Sequence, residues 1–407
     1  MTTGRRVLLL APARSYRAAD FVRAATRMGV DLTVASDGAL FLGGRPVIPV
    51  RPGDPARCAE LVASRSGPMD AVVAADAPML PLAAAVATAL GLPHNPADAV
   101  LAAADKARQR QRWAGARVAQ PRFEIVPAPA PDPAIRQAAA AIGFPCVIKA
   151  VSLSASQGVL LASDADQAVR AAARIRRILA DAGQPASEPV LVEGYLQGPE
   201  LSIDGLLTGG HLTPLAIFDK PAMTNGPTFE ETLLVTPSRL PGPVLAEAVR
   251  TAERAARALG LRTGPVHAEL RVTSTGPAML ELAARSIGGL CSRALRFPGG
   301  KSLEELILAS ALGQPLPVRA GRAPQPSGVF MLPVPTAGVV RAIEGRDDAA
   351  AVPGITSVTI TMPPGRRVRP LPDGDQYLGF IFAEAATPGD VEKALTSASR
   401  RLHAVID

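Results

Sequence analysis

The sequence predicts a mixed chain, α/β at its N-terminal end and α+β beyond it, and three observations carry that prediction. Residues 5 to about 95 alternate apolar strand-like runs with amphipathic ones, the βαβ rhythm of a parallel sheet with helices on its faces. From Phe144 onward, short strand-like runs follow one another with turns between them, as antiparallel pairing requires. After a Pro-rich stretch at 314–326 the chain returns to strands and closes with a helix, the pattern of an α+β cap.

Taken in order, "RVLLLAP" is a buried strand, "YRAADFVRAATRMG" a helix and "VDLTVAS" a second strand. "CAELVASR", "MDAVVAAD" and "PLAAAVATALG" repeat the alternation, and the region holds no GxGxxG, so a dinucleotide site has no support there. "LPHNPADAV" breaks the rhythm and a helical region runs through "ADKARQRQRWAGA". "VAQPRFEIVPAPAPDPAI" reads as strand plus linker. Then come strand "PCVIKA", loop "VSLSASQG", strand "VLLAS", and a helix capped by Ser163 or Asp164 that runs to about Ala182. Strand "PVLVE" leads to a hairpin of "ELSIDGLL" and "HLTPLAIF" turning on "TGG". A polar loop spans 219–231, and "PVLAEAVRTAERAARALG" is an amphipathic helix. The tail carries a helix near 302–312, strands "GVVRAIEG", "GITSVTITM" and "YLGFIFAEA", and a last helix over 388–404.

With 407 residues the chain can hold two or three domains with substantial cores, and 48% hydrophobic against 19% charged residues is a globular balance. Cys58, Cys146 and Cys291 lie far apart without CxxC spacing, which speaks against a disulfide framework or a zinc site. The apolar run in "RRVLLLAPARS" is too short for a signal peptide, and nothing approaches the ~18 apolar residues of a membrane span. The expected location is therefore cytoplasmic. The net charge of +7 is spread out; its densest runs are "RQRQRW" (108–113), "RIRR" (174–177) and "RRVR" (366–369). With one Trp and three Tyr in the chain, stacking platforms are missing, so each run reads as a solvated face rather than a nucleic-acid footprint. Of 43 basic residues only Lys106, Lys149, Lys220, Lys301 and Lys393 are lysine, so a retained Lys hints at a need for a compact ammonium.

The stretch "GPVHAELRVTSTGPAMLELAARSIGG" (264–289) has the period-2 alternation of two strands around a turn near Thr275. Val266, Ala268, Leu270 and Val272 alternate with His267, Glu269 and Arg271; Ala278, Leu280, Leu282 and Ala284 alternate with Met279, Glu281, Ala283 and Arg285. This register sets Glu269 opposite Glu281, a repulsive pair unless a cation lies between them. Two carboxylates on a rigid hairpin suit Mg²⁺ with substrate phosphates; a solvated face neutralised by Arg271, Arg285 and His267 is the alternative.

Four motifs in order resemble the ATP-grasp superfamily of carboxylate–amine ligases: "ADKARQRQRWAGARVAQP", "GFPCVIKAVSLSASQGV", "VLVEGYLQGPELSID" and this hairpin. "FDKP…GPTFEETLLVTPSRL" and "ELAARSIGG" are similar to the L-amino-acid (dipeptide) ligase branch. The resemblance implies a Rossmann-like domain over 1–100, an ATP-grasp domain over 101–312 with a subdomain at about 120–196, and an α+β cap over 313–407. It implies ATP and Mg²⁺ (or Mn²⁺), with Lys106 and Lys149 on phosphates under a loop containing Ser154, Ser156 and Gly158. It assigns Glu193 to the adenine amino group, Tyr195 and the Leu196 backbone to the adenine hinge, and Glu200 to the ribose. Glu269 and Glu281 become metal ligands, and Arg285 and His267 stabilise the reacting groups. Ala155 and Ala283 depart from the family pattern, the latter where an Asn ligand is frequent. The implied reaction joins a small carboxylate to an amine through an acyl-phosphate, releasing ADP. A purine-pathway or biotin-carboxylase-like activity and a degenerate ATP-binding regulator are the alternatives. Homodimers are common in such families. Substrate selection falls to loops 14–17, 219–231 and 285–296.

Overall fold

The computed structural model describes residues 4–13, 15–38, 47–221, 226–316 and 325–407. Strands Arg6–Leu10, Asp31–Ser36, Val47–Pro49 and Ala71–Ala74 form an all-parallel sheet in the order third, second, first, fourth. Val7 to Leu10 on the central strand are fully buried, because helices cover both faces of a parallel sheet.

A second unit carries four antiparallel strands, ordered Phe123–Val126, Val190–Gly194, Cys146–Ala150, Val159–Ala162. Helices Asp132–Ile142 and Ala165–Asp181 pack on it. The Asp164 carboxylate caps the longer helix by accepting from the Gln167 N–H at 2.7 Å. That helix buries Ala168, Ala171, Ala172, Ile175, Ile178 and Leu179, a stripe at helical spacing, against Cys146, Ile148 and Val192. This unit has a core of its own, and it forms a lid.

Beneath the lid lies an eight-stranded antiparallel sheet. Its order is Gly276–Ala283, Gly264–Thr273, Glu200–Thr208, His211–Asp219, Leu233–Thr236, Ser327–Leu332, Gly379–Glu384, Ile355–Ile360. The last three strands come from beyond residue 313, so the C-terminal segment extends the central sheet as well as capping it. Leu8 and Leu10 share a core with Leu201, Val266 and Ala252, and Val7 and Phe21 share another with Phe218, Leu306 and Phe380. The parallel sheet and the eight-stranded sheet are therefore one packed body, with the lid cored separately.

The last helix is shorter than its sequence suggested. It spans Pro388–Ser399, and His403–Ile406 is a strand paired antiparallel with Gly338–Glu344. The buried helical stripe Val391, Ala394, Leu395, Ala398 ends at 398, and the residues after it alternate in exposure with the strand period. Among the described residues no helix is long and apolar enough to cross a membrane.

Candidate active site

Period-2 geometry turns Glu200, Ser202 and Asp204 to the same face as Arg271, Glu269 and His267 on the neighbouring strand. The register pairs Glu200 with Arg271, Ser202 with Glu269 and Asp204 with His267, while Leu201, Ile203, Ala268 and Leu270 enter the core behind. Arg271 Nε donates to Glu200 Oε2 at 2.9 Å. His267 Nδ1 lies 3.0 Å from Asp204 Oδ2, and its Nε2 lies 3.3 Å from Glu269 Oε1. Burial alone would favour the neutral imidazole; Asp204 and then Glu269 outweigh it and raise the pKa to about 9. His267 is thus an imidazolium that donates from both nitrogens. Asp204 Oδ1 also accepts from the Ile287 N–H at 2.7 Å, which ties the ladder to the loop after Arg285.

Glu269 and Glu281 are cross-strand partners. Immediately beyond them the hairpin shifts register, with Leu270 paired to Met279, so Leu280 is an extra residue. The strict alternation expected of "GPAMLELA" therefore fails at this point. Met279 is fully buried in the core, while Leu280 lines the cleft with Glu281, Ala283 and Arg285.

The carboxylates meet Lys106, Lys220 and His267 rather than the arginines of the solvated-face alternative. Lys106 Nζ is 3.2 Å from Glu281 Oε2, and Lys220 Nζ is 3.3 Å from Glu269 Oε1. Lys220 also lies 3.1 Å from Glu200 Oε1 and contacts Glu231. Burial disfavours its charge, yet Glu231, Glu269 and Glu200 together raise its pKa well above the ordinary lysine value. Burial likewise pushes Glu269 up, and Lys220 and His267 overcome it to hold that carboxyl low. Arg271 instead serves Glu200 and the Leu196 carbonyl, and Arg285 Nη1 donates to the Ser286 carbonyl at 2.9 Å.

As a cation site the donor set is incomplete by itself. The two carboxylates are 25% and 30% exposed, and no group of three or more His, Cys, Asp or Glu suited to a metal occurs among the described residues. Hard oxygen donors that leave most positions open fit Mg²⁺ completed by phosphate oxygens.

At the other end of the cleft, Glu193 is buried between two cations: Arg110 Nε at 2.6 Å and Lys149 Nζ at 2.7 Å. Burial raises its carboxyl pKa, but Arg110 and Lys149 more than offset this and leave it at about 2. Both oxygens of the carboxylate expected at the adenine amino group are therefore already in ion pairs. Arg110 also corrects the view of "RQRQRW" as a solvated face, since Gln109, Arg110 and Trp113 are all buried. Helix Lys106–Gly115 turns those three inward, and the Arg110 guanidinium lies 5.2 Å from the Trp113 ring.

The Tyr195 and Phe229 rings stack at 6.3 Å, with the Arg271 guanidinium 5.0 Å from the Tyr195 centroid. Gly198 is required in this hinge: at φ 129°, a Cβ there would lie 2.0 Å from the Val272 carbonyl oxygen. The loop residues Ser154, Ala155 and Ser156 line the cleft from the lid side.

Every site residue expected from the sequence lines this cleft except Gly158, whose N–H donates to the Pro372 carbonyl. Asp204, Arg110, Lys220 and Glu231 were missed. Two signals could have found Asp204 and Lys220: "ELSID" and "HAELR" are complementary in charge when antiparallel, and Lys220 is one of only five lysines. Of the loops expected to select substrate, Ser15 to Arg17 are placed, and Arg17 Nη2 donates to Ser286 Oγ at 2.7 Å. Arg14 and residues 222–225 lie outside the described residues.

A separately cored antiparallel lid over a larger antiparallel sheet, with the cleft between them, is the arrangement of the ATP-grasp fold. Residues 142–294 match the ATP-grasp domain. Residues 330–407 match the L-amino acid ligase C-terminal domain 2. The fold superposes on an L-amino acid ligase from Bacillus licheniformis with a TM-score of 0.85 over 100% of both chains, at 22% identity. Carnosine synthase 1 of Gallus gallus is 33% identical over 263 residues, 62% of this chain and 28% of that protein. Alanine–anticapsin ligase of Bacillus subtilis (strain 168) is 28% identical over 190 residues, 42% of this chain and 40% of that one. These alignments span less than half the length of either relative.

Proposed function

We propose that the protein is an ATP-dependent carboxylate–amine ligase acting on amino acids, with the nucleotide held between lid and ladder. The observation that carries this reading is Glu269 paired with Glu281, each beside a lysine ammonium, in a cleft that ends in an aromatic hinge. A relative named alanine–anticapsin ligase supports amino acids as substrates.

When bound, ATP supplies the γ-phosphoryl group that activates the carboxylate, and Mg²⁺ neutralises the phosphate charge. Tyr195 and the Leu196 backbone position the adenine, with Glu193 as the anchor that aims Lys149 at the phosphates. Glu200 would receive the ribose, and Ser154 and Ser156 would cover the phosphates with Lys106 alongside, while the Gly158 N–H is engaged by the Pro372 carbonyl. Glu269 and Glu281 hold the metal. His267, with both nitrogens engaged, fixes the Glu269 carboxylate rather than touching substrate. The Arg285 guanidinium lines the cleft beside Glu281 and faces negative charge on the acyl-phosphate and on the tetrahedral oxyanion after amine attack. In this reading residues 1–100 support the acyl site, 101–312 bind nucleotide and metal, and 313–407 close the cap.

A screen of amino-acid pairs and small carboxylic acids tests the reading. ADP and phosphate should form only with an acceptable carboxylate, and amide only when an amine is added. Hydroxylamine should trap the activated acid as a hydroxamate. AMP and pyrophosphate as products would overturn the assignment.

A further inference from the structure

The phosphate-covering loop is held in a conformation that it would not adopt alone. Ala155, Ser156 and Gly158 all have left-handed φ, at 55°, 58° and 65°. Non-glycine residues stay there only where their surroundings over-determine them. At the loop's start those surroundings include the lid itself and a neighbouring helix. Glu188 accepts from the Val151 and Ser152 N–H groups at 3.1 Å each, and Lys106 Nζ donates to the Leu153 carbonyl at 2.5 Å.

At the loop's end the partners come from the C-terminal segment. The Gly158 N–H donates to the Pro372 carbonyl at 3.0 Å, and Gln157 Nε2 donates to the Asp373 carbonyl at 2.9 Å. The Asp373 carboxylate accepts from Arg174 of the lid helix Ala165–Asp181, at 3.2 Å from Nε and 2.5 Å from Nη2. Arg369 Nη1 donates to Asp181 at the same helix's far end, at 2.6 Å. One stretch, 369–373, thus grips both the loop and the helix of a unit that otherwise has its own core.

We propose that this stretch latches the nucleotide lid, with Asp373 as a positioning residue for the phosphate-covering loop; the proposal rests on the nucleotide reading above. The Arg174–Asp373 pair is 40% and 33% exposed, and a half-exposed ion pair is weak. Weakness suits a contact that must open to admit ATP and close again in each turnover.

The test uses the full chain with Asp373→Ala, with Arg174→Ala, and with the exchange Arg174→Asp plus Asp373→Arg. Michaelis constants for ATP are measured beside the rate of protease cleavage within 152–158 in nucleotide-free protein. Each single variant should raise the ATP KM about five- to tenfold, as loss of one or two partly exposed charge-assisted hydrogen bonds would, with kcat changed less than about twofold. Cleavage should accelerate in parallel, and the exchange should restore most of both. Raising the salt concentration should raise the ATP KM of the parent by a larger factor than that of the single variants. Unchanged KM and unchanged cleavage in both single variants overturn the latch. Equal losses in KM and kcat that the exchange does not restore also overturn it, as general damage to the fold. If the parent binds no ATP, the ligase reading fails separately; faster cleavage of the variants then still upholds the latch, and equal cleavage overturns it.

Discussion

The floor of the cleft is a sheet on which Glu200, Asp204, Glu269 and Glu281 each meet a cationic side chain within 3.3 Å. The roof, over residues 154–158, offers backbone N–H groups and hydroxyls in a left-handed turn steadied from outside the lid. Floor charges are fixed by cross-strand register and by a core shared with the N-terminal sheet. The difference teaches that the two walls should fail differently. A change in the floor removes a ligand from a rigid frame, whereas a change in the roof alters how often a conformation is populated.

The largest expected effect is on the floor. Glu281→Ala should lower Mg²⁺-dependent turnover by at least about a hundredfold, the scale for losing one preorganised electrostatic group at a reacting centre. The fold should survive, because Glu281 is 30% exposed and its removal relieves repulsion with Glu269. Normal turnover with an unchanged Mg²⁺ requirement would remove the metal from this hairpin.

Next comes the joint between the walls. Glu193 sits on a lid strand, and Arg110 reaches it from a helix that also hydrogen-bonds the Leu280 carbonyl of the floor. The Glu193 pKa is depressed to about 2 from an ordinary 4.5, so its contribution to stability is present above pH 4.5 and is lost as pH falls through 2. Glu193→Gln should cost about 3 kcal/mol at pH 7, from the size of that shift and the two cations left buried. Urea unfolding should show the gap between parent and variant narrowing from pH 4.5 downward. A gap independent of pH would mean that the carboxylate charge does not join the walls.

How far the sequence announces each wall follows from the same contrast. Strand period and turn chemistry are local, so the parallel sheet is legible in "RVLLLAP" and "VDLTVAS", and the hairpin and the opposition of Glu269 and Glu281 in "HAELRVTSTGPAMLELA". The bulge at Leu280 is not, because Arg110 takes the Leu280 carbonyl from a helix 170 residues earlier. The burial of Arg110 is likewise invisible to composition, since its reason is Glu193, 83 positions away. The strand His403–Ile406 depends on a partner at 338–344 and was hidden for the same reason. The roof's hold by Pro372 and Asp373 has no local signature at all.

Lys149→Arg tests whether the link between hinge and phosphates tolerates a different cation. Lys149 Nζ sits 2.7 Å from Glu193, whose other oxygen already carries the Arg110 guanidinium. A second planar fork cannot occupy the place of a compact ammonium there, so activity should fall about ten- to a hundredfold despite the retained charge. Steady-state rates at saturating ATP decide it. Parent-like activity would make Lys149 a charge without a positional role.

The smallest effect separates conformation from contact in the roof. Gly158→Ala places a Cβ at φ 65°, 3.1 Å from the Ala150 Cβ, so the substitution carries both a backbone cost and a tight contact. A left-handed alanine costs about 1–2 kcal/mol. Gly143→Ala, at φ 90° in the same lid with nothing within 4 Å of the added Cβ, carries the backbone cost alone. Both variants should lower the lid's stability in native-state hydrogen exchange. Only Gly158→Ala should raise the ATP KM, because only that residue donates its N–H to Pro372 next to the cleft-lining Ser154 and Ser156. The Mg²⁺ dependence should stay that of the parent in both, since neither touches the floor. If the two variants raise the ATP KM equally, the roof contributes through the lid's general stability, and the contrast with the floor loses its local basis.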